Sequence, residues 1–223
     1  MTTEEPRRPG APEETEALTV RPDRLVATAR DHGIDAAAGA VRRVTAALLA
    51  AGDRTELDMA RVAKQLHAVA EELEEGAPPL DERLVGMWEG EGITRHDPVT
   101  GPENPLAPPL SLTGRDDGSV AGTLTLGLPY QGPPGCVHGG VSSLLLDHTL
   151  GVANHWGGLS GMTAQLTLSY RRPVPLFTEL TVTGRQLAVD GRKIRTVGAI
   201  TANGEECVTA EGLFIAKQLP RPR

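Results

Sequence analysis

The sequence predicts an α+β protein: one long apolar helix set in an antiparallel sheet of about five or six strands, preceded by a helical extension. Three observations carry this. A Pro/Gly turn at Gly132-Pro133-Pro134-Gly135 leads straight into an apolar run from Val141 to Ala153. Runs of strand character flank it, the last three joined by Asp190-Gly191 and Asn203-Gly204, dipeptides suited to hairpin turns that need positive φ. Ahead of all this, residues 20–76 are apolar at helical rather than strand spacing.

Composition narrows the class. At 223 residues the chain suits one domain plus an extension and can bury a real core. Aromatics are only 3%, so that core must be built from Leu, Val, Ile and Ala. A net charge of -7 argues against a general nucleic-acid binder. Cys136 and Cys207 have neither metal-type spacing nor a disulfide framework. With no 18-residue apolar run and no signal-peptide core after Met1, a cytoplasmic protein without a membrane span is expected.

The elements follow in order. Residues 1–19, rich in Glu, Pro and Thr, read as a disordered tail. Residues 20–76 form the helical extension, in which Val41, Val44, Leu48 and Ala51 line one side of a first helix. Gly52-Asp53-Arg54 reads as a turn, and Thr55 with Asp58 three residues on resembles a capping box for a second helix. Met59, Val62, Leu66, Val69 and Leu73 stripe that helix, so the pair reads as a hairpin with an apolar seam. Residues 77–109, opened by Gly76-Ala77-Pro78-Pro79 and containing Met87-Trp88 and a Pro-rich span, read as linker and loop.

The main domain is expected over 110–217. Leu110–Thr113 and Ser119–Leu126 make a hairpin about Asp117-Gly118. After the apolar helix, strict alternation from 163 to 170 puts Thr163, Gln165, Thr167 and Ser169 on one face and Ala164, Leu166, Leu168 and Tyr170 on the other. Strands over about 179–188, 192–201 and 207–215 complete the sheet.

The central helix carries the candidate chemistry. It is apolar around most of its circumference, as a buried helix is, yet it holds Asp147 and opens with Gly139-Gly140. A buried carboxylate must be paired, hydrogen-bonded or protonated. Free N–H groups at a helix N-terminus carry partial positive charge and can stabilise an oxyanion. A tight lead-in turn and a solvated Asp147 are the plain structural alternative. Eight residues separate Gly139 from Asp147, about 12 Å along one helix, whereas an attacking group must come within about 3.5 Å of a carbonyl. If both residues act on one group, two antiparallel copies must share two sites, a two-fold dimer.

His138-Gly139-Gly140 followed by Asp147 resembles the signature of the hotdog-fold thioesterases of the PaaI-like branch. The blocks Gly132–Gly140, Thr163–Leu176 and Asp190–Lys193 resemble the subgroup containing the animal acyl-CoA thioesterases, over about residues 105–217. The resemblance implies a sheet curled around the long helix. It implies that Asp147 is the general base or nucleophile of thioester hydrolysis and that Gly139 N–H polarises the carbonyl. His138 would contact the thioester or fix the turn, Gly140 would line the substrate site, and Thr163 would position water near the partner's carboxylate. Arg171, Arg172, Arg192 and Lys193 are the best candidate cations for the polyanion coenzyme A, which is part of the substrate, so no cofactor is implied.

The chain departs from the family pattern at Gly132, where an Asn is common, with Gln131 beside it as a substitute. No metal is expected: His148 and His155 are seven apart with no third ligand on that face. Cys136 and His138 lack a third group to orient them as a nucleophile pair. Expected substrates are medium- or long-chain fatty acyl-CoA, or aryl-CoA, with acyl carrier protein able to replace CoA. The expected state is a homodimer or a dimer of dimers. A hydratase or dehydratase is disfavoured because Val152, not His, stands five after Asp147; a non-catalytic acyl-thioester-binding module is the other alternative.

Overall fold

The computed structural model describes residues 25–82, 95–108 and 110–216. The tail at 1–19 and Met87-Trp88 lie outside the described residues. Helices α1 (Gly33–Ala51) and α2 (Met59–Glu75) come first, then β1 (Ser111–Gly114) and β2 (Ser119–Thr125). Helix α3 (Gly139–Trp156) follows, then β3 (Gly161–Tyr170), β4 (Glu179–Asp190), β5 (Lys193–Ala202) and β6 (Glu205–Ala216). The six strands form one antiparallel sheet in the order β1-β2-β4-β5-β6-β3.

Turn chemistry explains the meander from β4 to β6. Ala202 pairs with Glu205, leaving Asn203 and Gly204 as a two-residue turn with φ of 53° and 80°, the twist that suits a tight hairpin. Asp190 pairs with Lys193, so the preceding turn is Gly191-Arg192, one residue later than the dipeptide alone suggested.

The core lies between α3 and the sheet. Leu145, Leu146, Leu150 and Ala153 face Val120, Val182, Ile194, Ile200, Val208 and Phe214, all at or near zero exposure. Each buried leucine is worth about 1.5–3 kcal/mol relative to leaving it in water. This single aliphatic cluster explains how the chain folds with few aromatics. It is the helix-in-curled-sheet arrangement that the resemblance implied.

Two faces differ from the sequence expectation. Helix α3 is not covered all round: Leu144 is 40% exposed, and Asp147 and Gly151 are part-exposed on the side away from the sheet. The sheet covers one side of a helix and no more. Strand β3 pairs only with β6, so it is an edge strand with no buried residue.

Among the described residues, the N-terminal helices form no hairpin with an apolar seam. Val41, Val44 and Leu48 of α1 are exposed, and α2 buries none of its residues. The reason is the anchorage of α1 by another face. Asp35 and Ala38 are buried, and Asp35 takes hydrogen bonds from the Arg30 amide and from the Arg30 and Arg95 guanidinium groups. Arg42 donates to the Asn104 and Pro102 carbonyls. Burial pushes the Asp35 carboxyl up, but those donors outweigh it and hold it far below the usual carboxylate range. The α2 cap also differs: Asp58 is the N-cap and accepts from Arg61 N–H at 3.0 Å, while Thr55 only bonds Leu57 N–H. Asp58 sits directly before the first helical residue, which the cap geometry requires.

The loop carrying Arg95 also docks on α3. His148 Nε2 lies 3.2 Å from Thr100 Oγ1, and its Nδ1 lies 3.5 Å from Asp97. Burial lowers the His148 pKa, with the Asp97 and Asp147 carboxylates opposing. The unfolded chain therefore takes up this proton at a higher pH than the folded one. Stability contributed by neutral His148 is full above about pH 6.5 and declines as pH falls toward the lowered folded value. Asp35 works in a separate window, its contribution being lost only below about pH 4. Urea midpoints are expected to fall between pH 7.5 and pH 5, and His148→Gln should flatten that slope.

Candidate active site

The site starts from a turn that has one solution. Gly132 N–H donates to Cys136 O, Cys136 N–H to Pro133 O, and Gly135 N–H to the Gln131 side-chain oxygen. Gln131 thus pins the Pro/Gly turn. An Asn at position 132 would force this turn to shift, since a Cβ there would lie 2.8 Å from His138 Cα. Val137 N–H and His138 N–H then donate to Val174 O and Tyr130 O, which aims the start of α3.

His138 is the N-cap, with extended backbone at φ -63° and ψ 136°. Its Nδ1 accepts Gly140 N–H at 3.0 Å, so the ring caps the helix and holds its proton on Nε2. Val141 and Ser142 N–H both reach His138 O. Among the described residues, no hydrogen bond is made to Gly139 N–H, which is the one orphan donor left in this first turn. On its other side Gly139 O lies 3.0 Å from both the Tyr170 and Ser143 hydroxyls, which are themselves 2.9 Å apart, so two hydroxyl protons serve this three-way cluster. A cleft of about 370 Å³ opens here, lined by Pro133, Cys136, Gly139, Tyr170, Arg172 and Val174.

Asp147 lies two turns along, on the uncovered side of α3. Its Oδ1 accepts the Thr163 hydroxyl of the same chain at 2.9 Å. Thr163 therefore serves its own chain's carboxylate rather than a partner's. Nor does it share a face with Gln165, Thr167 and Ser169. A bulge at Ala164 inserts one residue, so Thr163 pairs with Phe214 and Gln165 with Leu213. That turns Thr163 to the helix side, with Leu166, Leu168 and Tyr170.

The structure brings the expected residues together in two groups. His138, Gly139, Gly140, Arg171 and Arg172 gather at one end of β3, and Asp147 and Thr163 at the other. Arg192 and Lys193 join the second end, since Lys193 pairs with Ile215 and Arg192 donates to Ala216 O. Within one chain the two groups stay apart, Gly139 and Asp147 being about 12 Å from each other along α3. Arg172 is partly committed, to Glu205 and to Glu206 O. His148 turns away to Thr100 and His155 to Ser160. Among the described residues, no three His, Cys, Asp or Glu side chains cluster as a metal site would require. Both cysteines are free thiols.

Sequence reasoning missed the Tyr170–Ser143 clamp. Tyr170 was legible as a helix-facing strand residue. Ser143 follows Gly139 by four, the helical spacing at which a hydroxyl reaches back to a carbonyl.

A long helix half-wrapped by a six-stranded antiparallel sheet is the hotdog fold. Residues 134–209 match the family model described as "Thioesterase superfamily", and residues 25–82 match that of the N-terminal helical domain of hypothetical protein RHA1_ro05818. The crystal structure of protein RHA08564, a thioesterase superfamily protein, is 58% identical, covers 86% of this chain and 95% of that one, and superposes with a TM-score of 0.79. The chain belongs to the thioesterase superfamily. Curated relatives include acyl-coenzyme A thioesterase THEM4 of Rattus norvegicus, 34% identical over 98 residues, which are 43% of this chain and 42% of that protein. The Xenopus laevis THEM4 is 35% identical over 92 residues, 39% of this chain and 40% of that protein. The chain thus spans about two-fifths of the length of these relatives.

Proposed function

We propose that the protein is an acyl-CoA thioesterase working as a homodimer, with each site assembled from both copies. The observation that carries this is one unpartnered amide, Gly139 N–H, and one carboxylate, Asp147, on the same helix, the carboxylate held by Thr163 of β3 and too far along the helix to act with that amide. A second copy running antiparallel brings its Asp147 to the first copy's Gly139. The surface such a partner would cover is open: edge strand β3, with Met162 63% and Tyr170 55% exposed, and Leu144 on α3.

In this reading the thioester carbonyl oxygen lies at Gly139 N–H, which stabilises its charge as the carbonyl becomes tetrahedral. Asp147 of the partner copy takes a proton from water as the water oxygen bonds to the carbonyl carbon, or attacks that carbon itself to form an anhydride that water then opens. The C–S bond breaks, the thiolate leaves as coenzyme A, and the acid is released. Thiolate is a good leaving group, so these residues need no cofactor. His138 and Gly140 shape the donor end, and Arg171 and Arg172 beside the cleft offer charge for the coenzyme A phosphates. Arg192 and Lys193 sit at the Asp147 end and would face the same site from the other copy.

Medium- or long-chain fatty acyl and aryl groups are the substrate classes we propose, and similarity to acyl-coenzyme A thioesterase THEM4 supports the CoA thioester. The test is thiol release from short, medium, long and aryl acyl-CoAs. Turnover of at least one class is expected. No thiol from any of them, with folded dimeric protein, would overturn acyl-CoA hydrolysis.

A further inference from the structure

A second, smaller cavity lies where the N-terminal segment meets the main domain. It holds about 220 Å³ between residues 26–29, helix α1 and the loop at 100–111. Its wall is mainly apolar: Val26, Ala107, Pro108 and Leu110 are buried there, and Ala27 adds a further methyl. A cavity of about 150 Å³ is enough for benzene, so this one has room for a small organic molecule.

The polar part of the wall is a cation without a counter-ion. Arg30 and Arg95, the neighbouring arginines, are each paired with both Asp35 and Glu103. Arg42 lines the cavity and, among the described residues, has no carboxylate within salt-bridge reach. It donates to the Asn104 and Pro102 carbonyls, which uses two of its five N–H groups and leaves its charge uncompensated. A part-buried charge is costly until an opposite charge meets it. Thr100, also on the wall, is engaged with Asp97 and His148. The Ser111 hydroxyl beside it has no hydrogen-bond partner among the described residues. An unmatched guanidinium, a spare hydroxyl and an apolar wall together select an anion with a short aliphatic tail. Guanidinium matches carboxylate in geometry as well as in charge.

We propose that this cavity binds a short-chain aliphatic carboxylate, its head on Arg42 and its tail among Val26, Ala107 and Leu110. The site is separate from the thioester cleft and does not depend on the acyl-CoA reading. Calorimetric titration of the full chain with sodium butyrate at neutral pH should show saturable binding. Butyramide has the same shape without the charge and should bind at least about tenfold more weakly. Arg42→Gln can still donate to one loop carbonyl and should weaken butyrate binding at least about tenfold. Ala27→Leu keeps Arg42 but fills the cavity, and it should weaken binding to a similar degree. Gly139→Pro, altered only in the thioester cleft, should bind butyrate as the parent chain does. Circular dichroism checks that each variant is folded.

No butyrate binding by the folded parent chain would overturn the proposal. So would undiminished binding by folded Arg42→Gln or Ala27→Leu, or equal affinity for butyramide. Loss of binding in Gly139→Pro would move the acid to the thioester cleft. Equally tight binding of inorganic phosphate would make Arg42 a general anion site with no use for the apolar wall. Either result overturns the assignment.

Discussion

Asp147→Asn should lower thiol release by about a hundred- to ten-thousandfold, the range expected when a positioned general base is removed. The change is nearly isosteric. The Asn side-chain oxygen still accepts the Thr163 hydroxyl bond now made at 2.9 Å, so the helix surface and the folded state should persist. What disappears is the capacity to take a proton or to attack the carbonyl. Oligomeric mass and thermal midpoint should match the parent chain. Full activity in purified Asp147→Asn would leave the fold intact and remove the mechanism. Thr163→Val is expected to lose less, since it leaves the carboxylate and deletes only the group that orients it.

Gly139→Pro is the second large effect, and the local geometry makes it a clean test. Proline cannot donate an N–H, but it is favoured at the first position of a helix, where that donor is unpaired within the helix anyway. Gly139 holds that position, directly after His138. His138 has φ -63° and ψ 136°, the extended conformation that a residue before proline prefers. A Cβ at 139 meets the Tyr170 ring at 3.4 Å, ordinary contact. The variant should therefore fold while losing about a hundred- to a thousandfold in kcat, the usual consequence of deleting one oxyanion donor. Gly139→Ala keeps the N–H and should retain most activity. Equal losses in the two variants would show that crowding against Tyr170, not the missing donor, was responsible.

The fold was legible because its local signals agree. The Pro/Gly turn stops anything helical before 138, the apolar run demands a buried helix, and Asn203-Gly204 can hardly be anything but a hairpin turn. The positions of Gly139 and Asp147 on that helix also followed from sequence, together with the distance that keeps them apart. The first part of the chain was less legible. The stripes of α1 and α2 correctly marked two helices, but a stripe says that a face needs cover, not what covers it. Here α1 is held by Asp35, Arg42 and the loop at 95–104, and among the described residues nothing buries its apolar side or any residue of α2.

The site shows the same division at the scale of single residues. By itself the sequence determined the helix, a sheet of about five or six strands, the turn before the helix and the candidate residues, because hydrophobic period and turn chemistry are properties of neighbouring residues. Only the tertiary structure decided that β3 lies at the edge beyond β6, that the Ala164 bulge swings Thr163 onto Asp147, and that the His138 ring occupies Gly140 N–H and leaves Gly139 N–H unpaired. Strand order, register and the choice between two adjacent amides depend on which distant groups meet, and alternation along one strand carries no record of its partner.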